Sequence, residues 1–171
     1  VRAGASVKAG AAKKAAYGGV MTACALIFSY IEYLVPINIG VPGIKLGLAN
    51  IVTVVVLSWL GAGYAFAVNT MRIVVAALLF SGVFGMLFGL AGGTLSLAVM
   101  VLAKRTGAFS IVGASIAGGV AHNIGQLLVA AALISNFTVL YYLPVLLTSG
   151  ALTGLAIGIL AQTATGRLPS L

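Results

Sequence analysis

Acidic side chains are all but missing from this sequence. Glu32 is the one carboxylate among 171 residues, and aspartate does not occur. A site that holds Mg²⁺ through several hard carboxylate oxygens cannot be built from a single such group. Cysteine and histidine occur once each, as Cys24 and His122. That excludes an internal disulfide and a zinc cluster of Cys and His ligands, and Cys24 reads as a small packing residue. Charge of either sign is scarce, at 6% of residues against 62% hydrophobic; soluble domains carry roughly 25% charged residues. With so little polar surface to present to water, the chain reads as one that lipid surrounds. A Walker A motif is also lacking, so ATP hydrolysis, if coupled to this chain, belongs to another subunit. The net charge of +8 would suit nucleic acid in a soluble protein. Here the basic residues are scattered between oily segments and form no nucleic-acid-binding face.

What is present is a succession of apolar runs. Their spacing predicts an all-α fold of six membrane-spanning helices over about 15–35, 45–60, 64–80, 84–103, 109–134 and 139–161. Residues 1–14 then form a basic segment and residues 162–171 a tail. The basic start precedes an apolar run of full membrane-spanning length, so it reads as the flank of a first span rather than as a cleavable signal. Between the first two runs lie Pro36, Gly40, Pro42 and Gly43, which stop the helix and build a loop. Glycines are dense from Ser81 to Gly93, where a broken or re-entrant helix is an open alternative. Elsewhere the 23 glycines read as tight helix packing.

The basic residues orient the bundle. With six spans, Arg2, Lys8, Lys13, Lys14, Lys104, Arg105 and Arg167 all fall on one side, expected to be the cytoplasm with both termini inside. Lys45 and Arg72 are the exceptions. A charge inside the bilayer costs at least ~2.5–3.5 kcal/mol at a helix centre, so it marks a functional site by default. Glu32, Lys45 and Arg72 are such charges, and His122, Asn123 and Gln126 join them. From the helix rise, Arg72 falls roughly 12–14 Å along its span, near mid-membrane, while Glu32, Lys45 and His122 fall further out. Ser115, Gly119, His122 and Gln126 recur at intervals of four, three and four, one face of a helix; Asn69 shares a face with Arg72, and Asn50 with Thr53. These groups are expected either to satisfy one another as interhelical glue, with Glu32 paired to Arg72 or Lys45, or to line a ligand pocket. The positive excess of Lys45 and Arg72 over Glu32 favours an anionic ligand. A second pattern is a ridge of small residues at four-residue intervals, Ala11, Ala15, Gly19 and Ala23, which lets another helix approach closely.

Three segments carry a resemblance: Val41-Pro42-Gly43-Ile44-Lys45-Leu46-Gly47-Leu48-Ala49-Asn50-Ile51-Val52, Ala121-His122-Asn123-Ile124-Gly125-Gln126-Leu127-Leu128, and Tyr141-Tyr142-Leu143-Pro144-Val145. In these the chain resembles the Gx transporter family, whose members are often labelled heptaprenyl diphosphate synthase component I. That family is similar to the substrate-binding S components of energy-coupling factor (ECF) transporters. The resemblance implies a non-enzymatic, multi-pass protein of the bacterial cell membrane that captures a cofactor-like small molecule in the outer half of the bundle. It implies as partners an ECF T subunit and two ABC ATPases, with the ridge Ala11, Ala15, Gly19 and Ala23 docking on the T subunit. The substrate-binding residues it suggests are Glu32, Lys45, Asn50, Arg72, His122, Asn123 and Gln126. Where S components often carry an Asp two residues after the Lys of the stretch entering the second helix, this sequence has Gly47, so a particular vitamin does not transfer.

No intrinsic cofactor is expected. Haem is the first expectation for cargo, because relatives are linked with haem uptake. His122 offers an axial nitrogen and is then the one metal ligand, and Lys45 and Arg72 could meet the propionates. A flavin or other vitamin and an isoprenoid or quinone precursor are the alternatives. Two further classes stay open. One is an accessory membrane subunit of prenyl diphosphate synthesis, the catalytic role being excluded by the missing aspartates. The other is an intramembrane protease, in which Ser115 after Gly113-Ala114 would pair with His122.

Overall fold

The structure, a computed structural model, describes residues 2–35, 47–135 and 137–169. All secondary structure among them is helical. α1 runs Arg2–Leu34, α2 Leu48–Trp59, α3 Ala62–Ala76, α4 Gly82–Thr106, α5 Ile111–Ile134 and α6 Leu143–Thr165. A π-helical turn, Ala77–Ser81, joins α3 to α4, and a 3₁₀ turn, Phe137–Tyr142, leads into α6. α1 passes residue 14 without a break, so the basic stretch continues the first apolar helix. The Pro36–Gly43 loop and Lys45 lie outside the described residues.

Among the described residues, four helical stretches are long and apolar enough to cross a membrane: Gly10–Leu34, Ala62–Thr106, Ile111–Ile134 and Thr138–Thr165. The second is two limbs. A Cβ on Gly89 would sit 3.0 Å from Ile73, and one on Gly93 would sit 2.7 Å from Asn69, contacts that require α4 to fold back along α3. The reversal occurs at Gly82, whose φ of 68° and ψ of −177° few side-chain-bearing residues adopt. The irregularity anticipated between Ser81 and Gly93 is therefore confined to the π turn and Gly82, and α4 itself is unbroken. Apolar α2 spans only 12 residues, or ~18 Å.

The helices close a ring in the order α1, α3, α4, α5, α6, α2, with α2 also against α3. α2 is enclosed on all sides: every residue from Val52 to Leu57 is buried. A helix with so little polar surface suits such a place. Its ends are served by charges from other helices. Glu32 of α1 accepts a hydrogen bond from the Gly47 N–H at the start of α2. Lys104 of α4 donates to the Leu57 and Ser58 carbonyls at its end, at 2.9 and 3.4 Å. Each charge opposes the partial charge of the helix end it meets.

Basic residues of α1 and α4 come together at one end of the bundle. Lys13 lies over the Tyr17 ring, 5.9 Å from its centre, and Tyr17 packs on Trp59 at 4.8 Å. Trp59 Nε1 donates to the Pro169 carbonyl at 2.9 Å, two residues after Arg167. Lys13, Lys104 and the segment after α6 thus share one end of the bundle, and Glu32 lies at the other end of α2.

Candidate functional site

Arg72 is the centre of the polar cluster, roughly 15 Å along α3 from Ala62. Its Nη2 donates to Asn50 Oδ1 of α2 at 2.8 Å and to Asn69 Oδ1 of α3 at 2.9 Å. Its Nη1 reaches Ser29 Oγ of α1 at 3.5 Å. Asn69 precedes Arg72 by three residues and so lies one turn below it on the same face. The guanidinium thus ties three helices together through neutral oxygens. No carboxylate comes within ion-pair distance of it among the described residues. Glu32, expected as its partner or that of Lys45, accepts from the Gly47 N–H, because the start of α2 offers that carboxylate an oriented donor; Lys45 lies outside the described residues. Gly47 can take this position with φ at 74°.

The cluster holds more donors than it uses. Arg72 Nε, Asn69 Nδ2 and Thr53 Oγ1 are buried and make no hydrogen bond. Asn69 is 1% exposed. Unmet buried donors cost free energy, about 1–3 kcal/mol each, so a set of them around one cation marks a place suited to acceptors.

The second group of expected site residues lies elsewhere. His122 and Gln126 of α5 face α4: a Cβ on Gly92 would come within 3.0 Å of both side chains. Asn123 points the other way and donates from Nδ2 to the Leu146 carbonyl of α6 at 2.7 Å. The stripe Ser115, Gly119, His122, Gln126 does not line one interface. Ser115 donates to the Gly154 carbonyl of α6 at 2.8 Å, and Gly119 abuts Gly150, whereas His122 and Gln126 meet α4. Asn123 and Ser115 act as interhelical ties, the bland alternative for such residues.

The expected residues therefore divide into Glu32, Asn50 and Arg72 among α1–α3, and His122, Asn123 and Gln126 among α4–α6. Ser29 is a cluster member the sequence did not point to; its signal was a hydroxyl one turn before Glu32. Asn69 shows its face-sharing with Arg72 in the sequence, but not that its amide is fully buried. The two groups meet at α4, where Gly93 lies against Asn69 and the adjacent Gly92 against His122. Asn69 and His122 are thus separated by on the order of 10 Å. The ridge Ala11, Ala15, Gly19 and Ala23 is exposed along α1, and a Cβ on Gly19 would meet nothing. It faces away from the bundle, while neighbouring Gly18 and Ala25 face inward.

The sequence profile of a family described as heptaprenyl diphosphate synthase component I matches residues 21–164. No curated protein and no solved structure matches the chain.

Proposed function

The chain belongs to the heptaprenyl diphosphate synthase component I family of S-component-like membrane proteins, and from that premise we propose that it captures an anionic, cofactor-sized molecule for an ECF-type uptake system. The observation that carries this reading is the Arg72 guanidinium, enclosed by helices and hydrogen-bonded, among the described residues, to the neutral oxygens of Ser29, Asn50 and Asn69, with Glu32 acting on it only from beyond ion-pair distance. A cation so placed is costly without an anion in direct contact. A carboxylate or phosphate on the cargo supplies one.

In this reading the bundle crosses the membrane six times, and the basic end lies in the cytoplasm. Arg72 then sits near mid-membrane with Glu32 outward of it. The exposed ridge Ala11, Ala15, Gly19 and Ala23 serves as the face for a T subunit, which brings two ABC ATPases. The protein itself catalyses nothing. The family description also fits a membrane partner of a prenyl diphosphate synthase, and a prenyl diphosphate is itself an anion that Arg72 would suit.

Haem is the first cargo to test, with Arg72 toward a propionate and His122 as axial ligand. In the arrangement described, the α4 backbone stands between these two groups, so haem would touch both only after α4 moves. The anionic group is therefore the firmer part of the proposal. The test is equilibrium binding of haem, flavin mononucleotide and a prenyl diphosphate to the purified protein, its Arg72→Leu variant and its His122→Ala variant. A Soret shift that saturates at one equivalent and changes in His122→Ala supports haem. Absence of a saturable shift removes haem alone. Equal binding of every anion by wild type and Arg72→Leu would sink the anionic-cargo reading.

A further inference from the structure

Arg72 does more to Asn69 than accept its company. Because the Asn69 Oδ1 receives the Arg72 Nη2 proton, the Nδ2 end of the amide must face the other way. It faces α4: a Cβ on Gly93 would lie 2.7 Å from Nδ2 and 3.3 Å from Oδ1. Asn69 is 1% exposed, and Nδ2 makes no hydrogen bond. A buried, oriented and unmet donor thus points at a backbone that carries no side chain.

The α3–α4 seam that encloses this donor differs from the other seams of α4. Against α5, backbone meets backbone: Cβ atoms on Gly125 and Gly92 would lie 2.7 Å from the Ala91 carbonyl oxygen and 2.9 Å from that of His122. Against α3, the atoms nearest these glycines belong to side chains, Ile73 on Gly89 and Asn69 with Ile73 on Gly93. Such a contact parts without disturbing helix backbones. Parting also lets water or a ligand satisfy Asn69 Nδ2, which offsets part of the cost. At one end the two helices are joined only through the π turn and Gly82, a short irregular segment of the kind that absorbs hinge motion.

We propose that the α3–α4 seam opens to water and that Asn69 Nδ2, beside Arg72, is a binding subsite there for a carboxylate or phosphate oxygen of the cargo. This deepens the anionic-cargo reading and rests on it for the identity of the ligand, but the opening stands without it. Asn69 is a specificity residue in this account, and Arg72 both attracts the anion and fixes the direction of the amide.

The test needs no knowledge of the cargo. In a Cys24→Ala background, single cysteines are placed at Asn69, at Ile73 on the same seam, and at Ser115 in the α5–α6 interface. Ile73 and Ser115 are 4% and 3% exposed, so static burial predicts equally slow modification at all three. Membrane vesicles are treated with an anionic (sulfonatoethyl) or cationic (trimethylammonioethyl) methanethiosulfonate. Each rate is normalised to that of a free thiol in solution. Asn69→Cys and Ile73→Cys are expected to react at least ~10-fold faster than Ser115→Cys, with the anionic reagent favoured ~10-fold at Asn69→Cys through the field of Arg72. Rates at both seam positions as slow as at Ser115→Cys, in variants that elute as the parent does on gel filtration, would overturn the opening. Fast reaction without preference for the anion would overturn the subsite while leaving the opening. If the opening holds while Arg72→Leu binds every anion normally, the cargo reading alone has failed.

Discussion

The two halves of this bundle are held by different chemistry. In α4–α6 the helices touch through their backbones. Cβ atoms on Gly150 and Gly154 would lie 2.7 Å from the carbonyl oxygens of Gly119 and Ser115. The hydroxyl of Ser115 and the amide of Asn123 donate to α6 carbonyls. In α1–α3 the contacts are between side chains, with the valines of α2 as the core and a polar cluster whose donors outnumber its acceptors. Lipid supplies no hydrophobic force between helices, so close backbone contact gives a half that resists deformation. Side-chain packing around a buried cation gives a half that can rearrange. In the proposed function, stability is concentrated in one and recognition in the other.

The largest effect should come from breaking the tight half. Gly119→Leu forces a side chain into the Gly150 backbone, which cannot yield. A loss above ~3 kcal/mol, or failure to fold, is expected, read as the thermal midpoint in detergent. An unchanged midpoint would mean that α5 and α6 are not in backbone contact. In the other half, Arg72→Leu separates function from stability. Affinity for an anionic cargo should fall ~100-fold, about 2.7 kcal/mol. The thermal midpoint should hold or rise, because a buried cation with no ion-pair partner, on which Glu32 acts only from a distance, is removed. A large drop in the midpoint would make Arg72 a structural tie like Asn123.

Smaller effects sharpen the contrast. Asn123→Ala removes one donor to the Leu146 carbonyl and should cost about 1 kcal/mol, the usual size of a hydrogen bond between membrane helices. It should leave affinity unchanged, and a loss of binding at constant stability would move Asn123 into the site. The least change is expected from Lys104→Met. It takes a cation from the C-terminal carbonyls of α2 and should lower stability by about 0.5 kcal/mol, measured by the same melting curves at low and high salt.

Helix positions were legible because apolar runs of membrane length, broken by glycine, proline and basic residues, leave few alternatives. The limits of α5 and α6 fall within a few residues of those the sequence predicts. Arg72 was legible as the centre of a polar cluster for the same reason: an arginine within such a run needs partners. The division of the polar residues was not legible. Asn123 and His122 are neighbours in sequence, and both look like pocket residues. Their side chains leave α5 in different directions, one toward an α6 carbonyl and the other toward a glycine of α4. Helical spacing fixes which residues share a face, but not which helix that face meets.

Composition and pattern alone determined that this chain is helical and suited to a membrane, and that its single carboxylate cannot by itself build a site of several carboxylates. Each follows from counts and spacing, since the cost of burying charge and the reach of a helix depend little on which neighbour is present. Only the tertiary structure decided that Glu32 meets the Gly47 N–H rather than Arg72, and that Asn69 turns its free amide toward Gly93. Hydrogen bonds are made at about 3 Å between groups far apart in sequence, and only the packing of the helices sets that distance.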